Sequence, residues 1–346
     1  MHKSTDFEQN GFDAIADTMK KLYPNQKGIY YRNIIPGFLG GNNTLDGVEV
    51  WKSEDNIPHW HYVTYGFTEL FEKESEISEE SGYGFELSFY LKQEDEEQPP
   101  VWPVNLLQNL ARYVFSSGNV FRSGHHMDCN SPVALETDTK LTALAFRKDP
   151  QLGEMDTPNG HMTFLQAVAI TSDELEAIMC WNCEKFLKEM DKEIPMCITD
   201  LSRSSCMDIP SFYDAWKKGV ETDGSFNGFF YLENLGADLK DGRAMLTLGA
   251  GHDKVLSNML KARPGKGRDL FLHGSAAMVN FLFGEEDISL KDGVLTLTMP
   301  ETALAELCEI LKSHKGIYPL TSFPLTVEIT ATNITDQDGN VIKTIE

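Results

Sequence analysis

Three groups of residues in this 346-residue sequence carry side chains that could do chemistry. His59 and His61 stand two apart, so on a strand both imidazoles point the same way and could meet one metal ion. His125, His126, Asp128 and Cys129 form a second cluster, able in principle to complete a ligand set. Cys180 and Cys183, in a Cys-Trp-Asn-Cys run, have the spacing of a redox dithiol or half a zinc site. Each has a plainer reading. His59 and His61 lie among packing aromatics, which favours a structural role. The cysteine pair falls inside an expected helix, away from the helix N-terminus where a thiolate is stabilised, and no second CxxC exists. Nucleophile and nucleotide motifs are missing: there is no GxSxG, GxxxxGK[ST], HExxH or strand-borne GxGxxG. Ser, His and Asp are all present, but no spacing brings three of them together. The expectation is no catalytic residue, no metal and no cofactor.

The elements that must position these residues follow from periodicity. Phe12, Ile15, Ala16, Met19 and Tyr23 recur at helical spacing. Residues 48–51 and 60–66 read as strands. In 84–92, Phe85, Leu87, Phe89 and Leu91 alternate with Glu86, Ser88, Tyr90 and Lys92, which predicts a strand with one buried side. Two acidic stretches, 69–80 and 93–100, flank it and should be solvated. Pro103 opens a helix to Phe115 with an apolar stripe of Leu106, Leu107, Leu110, Ala111, Val114 and Phe115. The run 162–170 is apolar on both faces, as a central strand would be. Thr171 and Glu174 form a capping box for a helix to about Met190. Residues 196–199 read as a further strand. The segment SGHHMDCNSP, punctuated by Gly124 and Pro132, reads as a loop. Gly, Ser and Asn cluster near 223–228, which places a domain boundary between residues 222 and 223. Beyond it, 270–283, 294–299, 325–331 and 341–345 read as strands and 303–313 as a helix. Asp338-Gly339 is a turn signal, and 236–266 is assigned no element.

The order of several segments carries a resemblance. HWHYVTYGFTELF, GYGFELSFYLK, PPVWPVNLLQNLARYVF, FRSGHHMDCNSP, KDPQL, TPNGHMTFLQAVAI, ITDLSR and KGVETDGS follow one another over about 200 residues. Together they resemble the suppressor of fused family, and the compact chain looks like its bacterial branch. The resemblance implies an α+β fold in two domains. The first, 1–222, is a mixed sheet packed with helices; the second, 223–346, is smaller and strand-rich. It also implies protein binding without catalysis. In animal relatives the loop matching Ser123–Pro132 and the tyrosine matching Tyr113 line a cleft between the domains, where a transcription-factor peptide is held. The partner-binding residues carried over are Tyr113, His125, His126 and Asp128. His125 stands where animal members have an acidic residue. A plainer reading of Tyr113 is a helix residue buried beside Leu110 and Val114.

Composition narrows the partner. With 53 acidic and 30 basic residues the net charge is −23. A nucleic-acid surface would need a basic stripe. No signal-peptide core and no long apolar span are present, which predicts a cytoplasmic protein with no membrane partner. Six scattered cysteines fit reduced thiols. The leading expectation is a non-enzymatic immunity-type protein that masks a toxin or effector, with the acidic surface steering a basic partner. The alternatives are a regulator that sequesters a peptide of an endogenous protein in the interdomain cleft, and a metal-dependent enzyme built on His59, His61, His125 and His126.

Overall fold

Hydrophobic alternation on strands and 3.6-residue stripes on helices fold this chain into α+β layers, seen in a computed structural model that describes residues 10–32, 45–335 and 341–346. The chain divides into two units. One comprises 1–175 with 183–212, and the other 176–182 with 213–346.

The first unit is built on an eight-stranded mixed sheet. Its strands are β1 (Ile29–Arg32), β2 (Gly47–Ser53), β3 (His59–Tyr65), β4 (Glu80–Lys92), β5 (His126–Asp128), β6 (Leu141–Lys148), β7 (Glu154–Thr157) and β8 (Gly160–Thr171). The order is β1-β2-β3-β4-β8-β6-β5, with β7 pairing on β8. Helix α2 (Trp102–Ser117) covers one face, where Leu107, Leu110 and Val114 meet Phe85, Leu87 and Phe89. Helix α1 (Asn10–Leu22) covers the other, where Ile15 and Met19 meet Trp51, Val63, Tyr65 and Phe164. Pro103 sits in the first turn of α2, where its missing N–H is no loss, and Gly118 at φ 74° closes the helix with its N–H on the Val114 carbonyl. Helix α4 (Cys183–Glu193) also belongs to this unit, whereas α3 (Ser172–Met179) and α5 (Pro210–Asp223) each begin in it and end in the second.

Coverage on both faces corrects the reading of β4. The strand begins at Glu80, four residues early, and Glu86, Ser88 and Tyr90 are buried, not solvated. The long helix expected from Ser172 is two helices. The capping box is formed: Thr171 donates its N–H to Glu174 at 2.9 Å, and Glu174 returns its N–H to the Thr171 hydroxyl at 3.4 Å. The helix nevertheless stops at Met179, whose carbonyl accepts the Ser225 hydroxyl at 2.6 Å; just past the helix, Trp181 O accepts the Phe226 N–H at 2.7 Å. The expected strand at 196–199 is a 3-10 turn with Met196 and Cys197 at positive φ; Thr199 alone bridges Leu91.

The second unit holds two sheets. One, in the order β10-β11-β17-β16, contains β10 (Leu235–Lys240), β11 (Arg243–Gly249), β16 (Gly316–Pro319) and β17 (Leu325–Thr330). The other, in the order β14-β15-β13-β12-β9, contains β9 (Phe229–Tyr231), β12 (Leu270–His273), β13 (Met278–Phe283), β14 (Asp287–Lys291) and β15 (Val294–Met299). Helices α6 (Asp253–Ala262) and α7 (Glu301–Ile310) supply Leu256, Met259, Leu304 and Leu307 to their shared core. A hairpin of β18 (Thr332–Thr335) and β19 (Val341–Ile345) ends the chain. The single run expected over 270–283 is a hairpin, and 236–266 holds two strands and a helix. The Asp338-Gly339 turn lies outside the described residues. Among the described residues no helix is long and apolar enough to cross a membrane.

Candidate partner-binding edge and a sealed polar cluster

The sheet separates the two histidine pairs. His59 and His61 lie on β3, and His126 on β5, four places along the strand order. At about 4.8 Å per strand that is roughly 19 Å, beyond any shared ion. Among the described residues no three His, Cys, Asp or Glu side chains are placed to hold a metal ion. The metal set of His59, His61, His125 and His126 is thereby overturned.

The β3 pair sits in a sealed polar cluster. His61 Nδ1 is 2.9 Å from the Tyr23 hydroxyl, and His61 Nε2 is 3.9 Å from Asp149 Oδ2. Ser88 and Tyr90 donate hydroxyls to the Asp149 carboxylate, as do the N–H groups of Gln151 and Leu152 at 2.8 Å. Burial pushes His61 down to about 4, so it is neutral. Burial raises the Tyr23 phenol well above its ordinary range. Ser, His and Asp are therefore neighbours after all. They do not make a nucleophile, because Ser88 donates to Asp149 and not to the imidazole, and all three are fully enclosed. A second buried acid, Glu86, accepts from the Thr64 and Thr68 hydroxyls and the N–H groups of Gly66 and Thr68. Burial still pushes it up to about 7. Sequence alternation hid Glu86, Ser88 and Tyr90. The one available signal was that two helices of opposite chain position both needed a sheet face.

Cys180 follows the end of α3 and Cys183 is the first residue of α4, so the pair is not in mid-helix as expected; both are buried, and burial pushes both thiols up to about 12. They are poor nucleophiles and poor ligands as they stand.

The other histidines lie at an edge. β5 is the last strand of its sheet, pairing His126 with Ala145, Met127 with Leu144 and Asp128 with Ala143. The expected loop is thus partly a strand. His125 O accepts from the Phe146 N–H, and the Cys129 N–H donates to Thr142 O. Odd-numbered residues therefore face β6, and alternation turns the main-chain groups of His126 and Asp128 toward the open side. Gly124, at φ 89°, makes the entry turn and donates to Phe146 O at 2.8 Å. Tyr113 is 39% exposed on α2 and is not the buried helix residue of the plainer reading. Its ring stacks on Phe121 at 5.7 Å, and Phe121 stacks on Phe146 at 4.2 Å. Phe121 thus couples Tyr113 to the segment that enters β5. Burial lowers the pKa of His125 and His126, with Arg122 adding to the effect at His125. Asp128 folds back to accept the Asn130 N–H at 2.7 Å.

The match with known proteins follows this sheet. Residues 41–204 match the family model of the suppressor of fused protein. The human suppressor of fused homolog is 37% identical over 235 residues, covering 62% of this chain and 48% of that protein. The mouse homolog matches to the same extent. The chain thus spans about half the length of these curated relatives. The crystal structure of Drosophila suppressor of fused superimposes with a TM-score of 0.76 at 21% identity, covering 95% of this chain and 99% of that one, which shows a shared fold. A chain of the Sufu-Fu complex crystal structure superimposes with a TM-score of 0.57 at 29% identity, covering 60% and 98%. Residues 41–204 of this chain thus form a suppressor of fused segment, similar at 37% identity to the human and mouse homologs.

Proposed function

We propose that this is a non-enzymatic protein-binding protein that holds its partner along the open edge of β5, beside Tyr113. The observation that carries the reading is an edge strand whose outward main-chain groups belong to His126 and Asp128, next to an exposed aromatic ring. Unpaired edges accept an added strand, which draws affinity from main-chain hydrogen bonds. His125 and His126 add neutral, pH-sensitive imidazoles to that edge. A related fold in complex with a protein partner supports the class of function.

The finer reading is an immunity-type role in a bacterial cytoplasm, masking a basic toxin or effector domain. A net charge of −23 favours a basic partner by steering its approach. The test is capture of binding proteins on the tagged chain at low and high salt, with Tyr113→Ala in parallel. A stoichiometric basic protein, lost at high salt and weakened by the substitution, supports the reading. A partner held equally by the variant and insensitive to salt counts against both the site and the charge argument. The edge strand also suits the second reading, sequestration of an extended peptide from an endogenous protein. A captured regulatory protein that binds through one short segment would select it.

A further inference from the structure

Three polar nitrogens of the sealed cluster have no hydrogen-bond partner in the protein: Trp51 Nε1, His59 Nε2 and His61 Nε2. Trp51 is 4% exposed and both histidines 0%. They share one face of the sheet. Trp51 pairs with His61 and Ser53 with His59 across β2 and β3, and His61 pairs with Tyr90 across β3 and β4. Both imidazoles pack on the Tyr90 ring, at 5.1 and 4.4 Å. Tyr23 stacks on Trp51 at 5.3 Å and meets His61 edge-on at 5.9 Å. A buried polar group left unpaired costs about 1–3 kcal/mol. Three in one patch call for a ligand that satisfies them.

Hydrogen bonding assigns the protons. His59 Nδ1 lies 2.7 Å from Ile57 O, which can only accept. Nδ1 therefore carries the hydrogen, and Nε2 presents a lone pair. His61 Nδ1 faces the Tyr23 hydroxyl, which can donate to it. That leaves the hydrogen on Nε2, directed at Asp149; the opposite tautomer would set a lone pair against the carboxylate. At 3.9 Å the Nε2–Oδ2 separation is too long for a direct bond, and a polar gap of this size suits one bridging water.

We infer that a buried water molecule occupies this patch, accepting from His61 Nε2–H and donating to Asp149 Oδ2 and the His59 Nε2 lone pair. Trp51 Nε1–H is the second donor available to it. Three or four partners are the usual complement of an internal water. The water ties β2, β3 and the 149–152 turn together, and through His61 it holds Tyr23 at the end of α1. A cation fits less well. Among the described residues the cluster contains no group of three His, Cys, Asp or Glu side chains placed to hold one.

The test is a high-resolution crystal structure of the full chain, with nitrogen-15 NMR of its histidines. The expected density is a single peak about 2.7–3.1 Å from both His61 Nε2 and Asp149 Oδ2. The NMR pattern should show His59 protonated at Nδ1 and His61 at Nε2. A direct His61–Asp149 bond with no peak would overturn the proposal. So would His61 protonated at Nδ1, or an anomalous peak with bonds near 2.1 Å, which would be a metal.

Discussion

The two histidine pairs of this sheet have the same chemistry available and opposite fates. His59 and His61 lie on an inner strand under α1, enclosed with Tyr23, Tyr90 and Asp149. His125 and His126 lie at the end of the strand order, where main-chain groups face outward. The inner pair can only hold the fold, because nothing reaches it. The outer pair, with His125 exposed and His126 half-buried, lies on the edge where we propose that a partner binds. Position in the sheet, and not residue type, separates scaffold from recognition.

The largest effect should come from breaking the inner side. Asp149→Ala removes the acceptor of the buried Ser88 hydroxyl and of the Leu152 and Gln151 N–H groups, leaves Tyr90 only its bond to Gln151, and should cost at least about 3 kcal/mol in urea unfolding. Asp128→Ala at the edge should cost under about 0.5 kcal/mol. Equal losses would erase the contrast. Next comes pH. His61 is depressed to about 4 in the fold against an ordinary value of 6.5, so the unfolded chain binds more protons between these limits. The His61 contribution should be full above pH 6.5 and fall on the order of 3 kcal/mol by pH 4; Glu86, raised to about 7, contributes an opposite slope from pH 4.5 to 7, so the His61 part is read as the difference from a His61→Gln variant. A His61→Gln variant should lose much of that slope, and an unchanged slope would mean that His61 is already charged or exposed.

Smaller effects sharpen the outer side. Asp128→Pro removes an outward N–H without touching the bonds to β6, and should weaken a captured partner about tenfold, or about 1.4 kcal/mol, in calorimetric titration. Tyr113→Ala should weaken it comparably while the melting temperature moves little. The smallest change is in salt response: raising ionic strength from 0.05 to 0.5 M should slow association by about tenfold and leave dissociation nearly unchanged, if the acidic surface steers the partner.

Much of this was legible in the sequence where local signals suffice. The stripe from Phe12 to Met19 marked α1, Pro103 and the leucines marked α2, and Thr171 with Glu174 marked the start of α3. The errors arose where distant residues decide. Glu86 and Tyr90 looked solvated because alternation cannot report that α1 packs on the second face. Met179 ends its helix where the hydroxyl of Ser225, 46 residues away, takes its carbonyl. The meeting of His61 with Asp149 depends on the pairing of β3 with β4 and on the turn after β6, which no spacing encodes. At the edge, Tyr113 and His125 were singled out by resemblance. Their coupling through Phe121 needed the ring geometry.

The most direct test of the central claim is site-specific photo-crosslinking in the native host. A photoreactive phenylalanine is placed at Tyr113, at Asp128 or, as a control far along the chain, at Ile317. Positions 113 and 128 should give one shared crosslinked protein, and 317 none of it. A partner that co-purifies with the chain yet crosslinks only from 317 would contradict that claim.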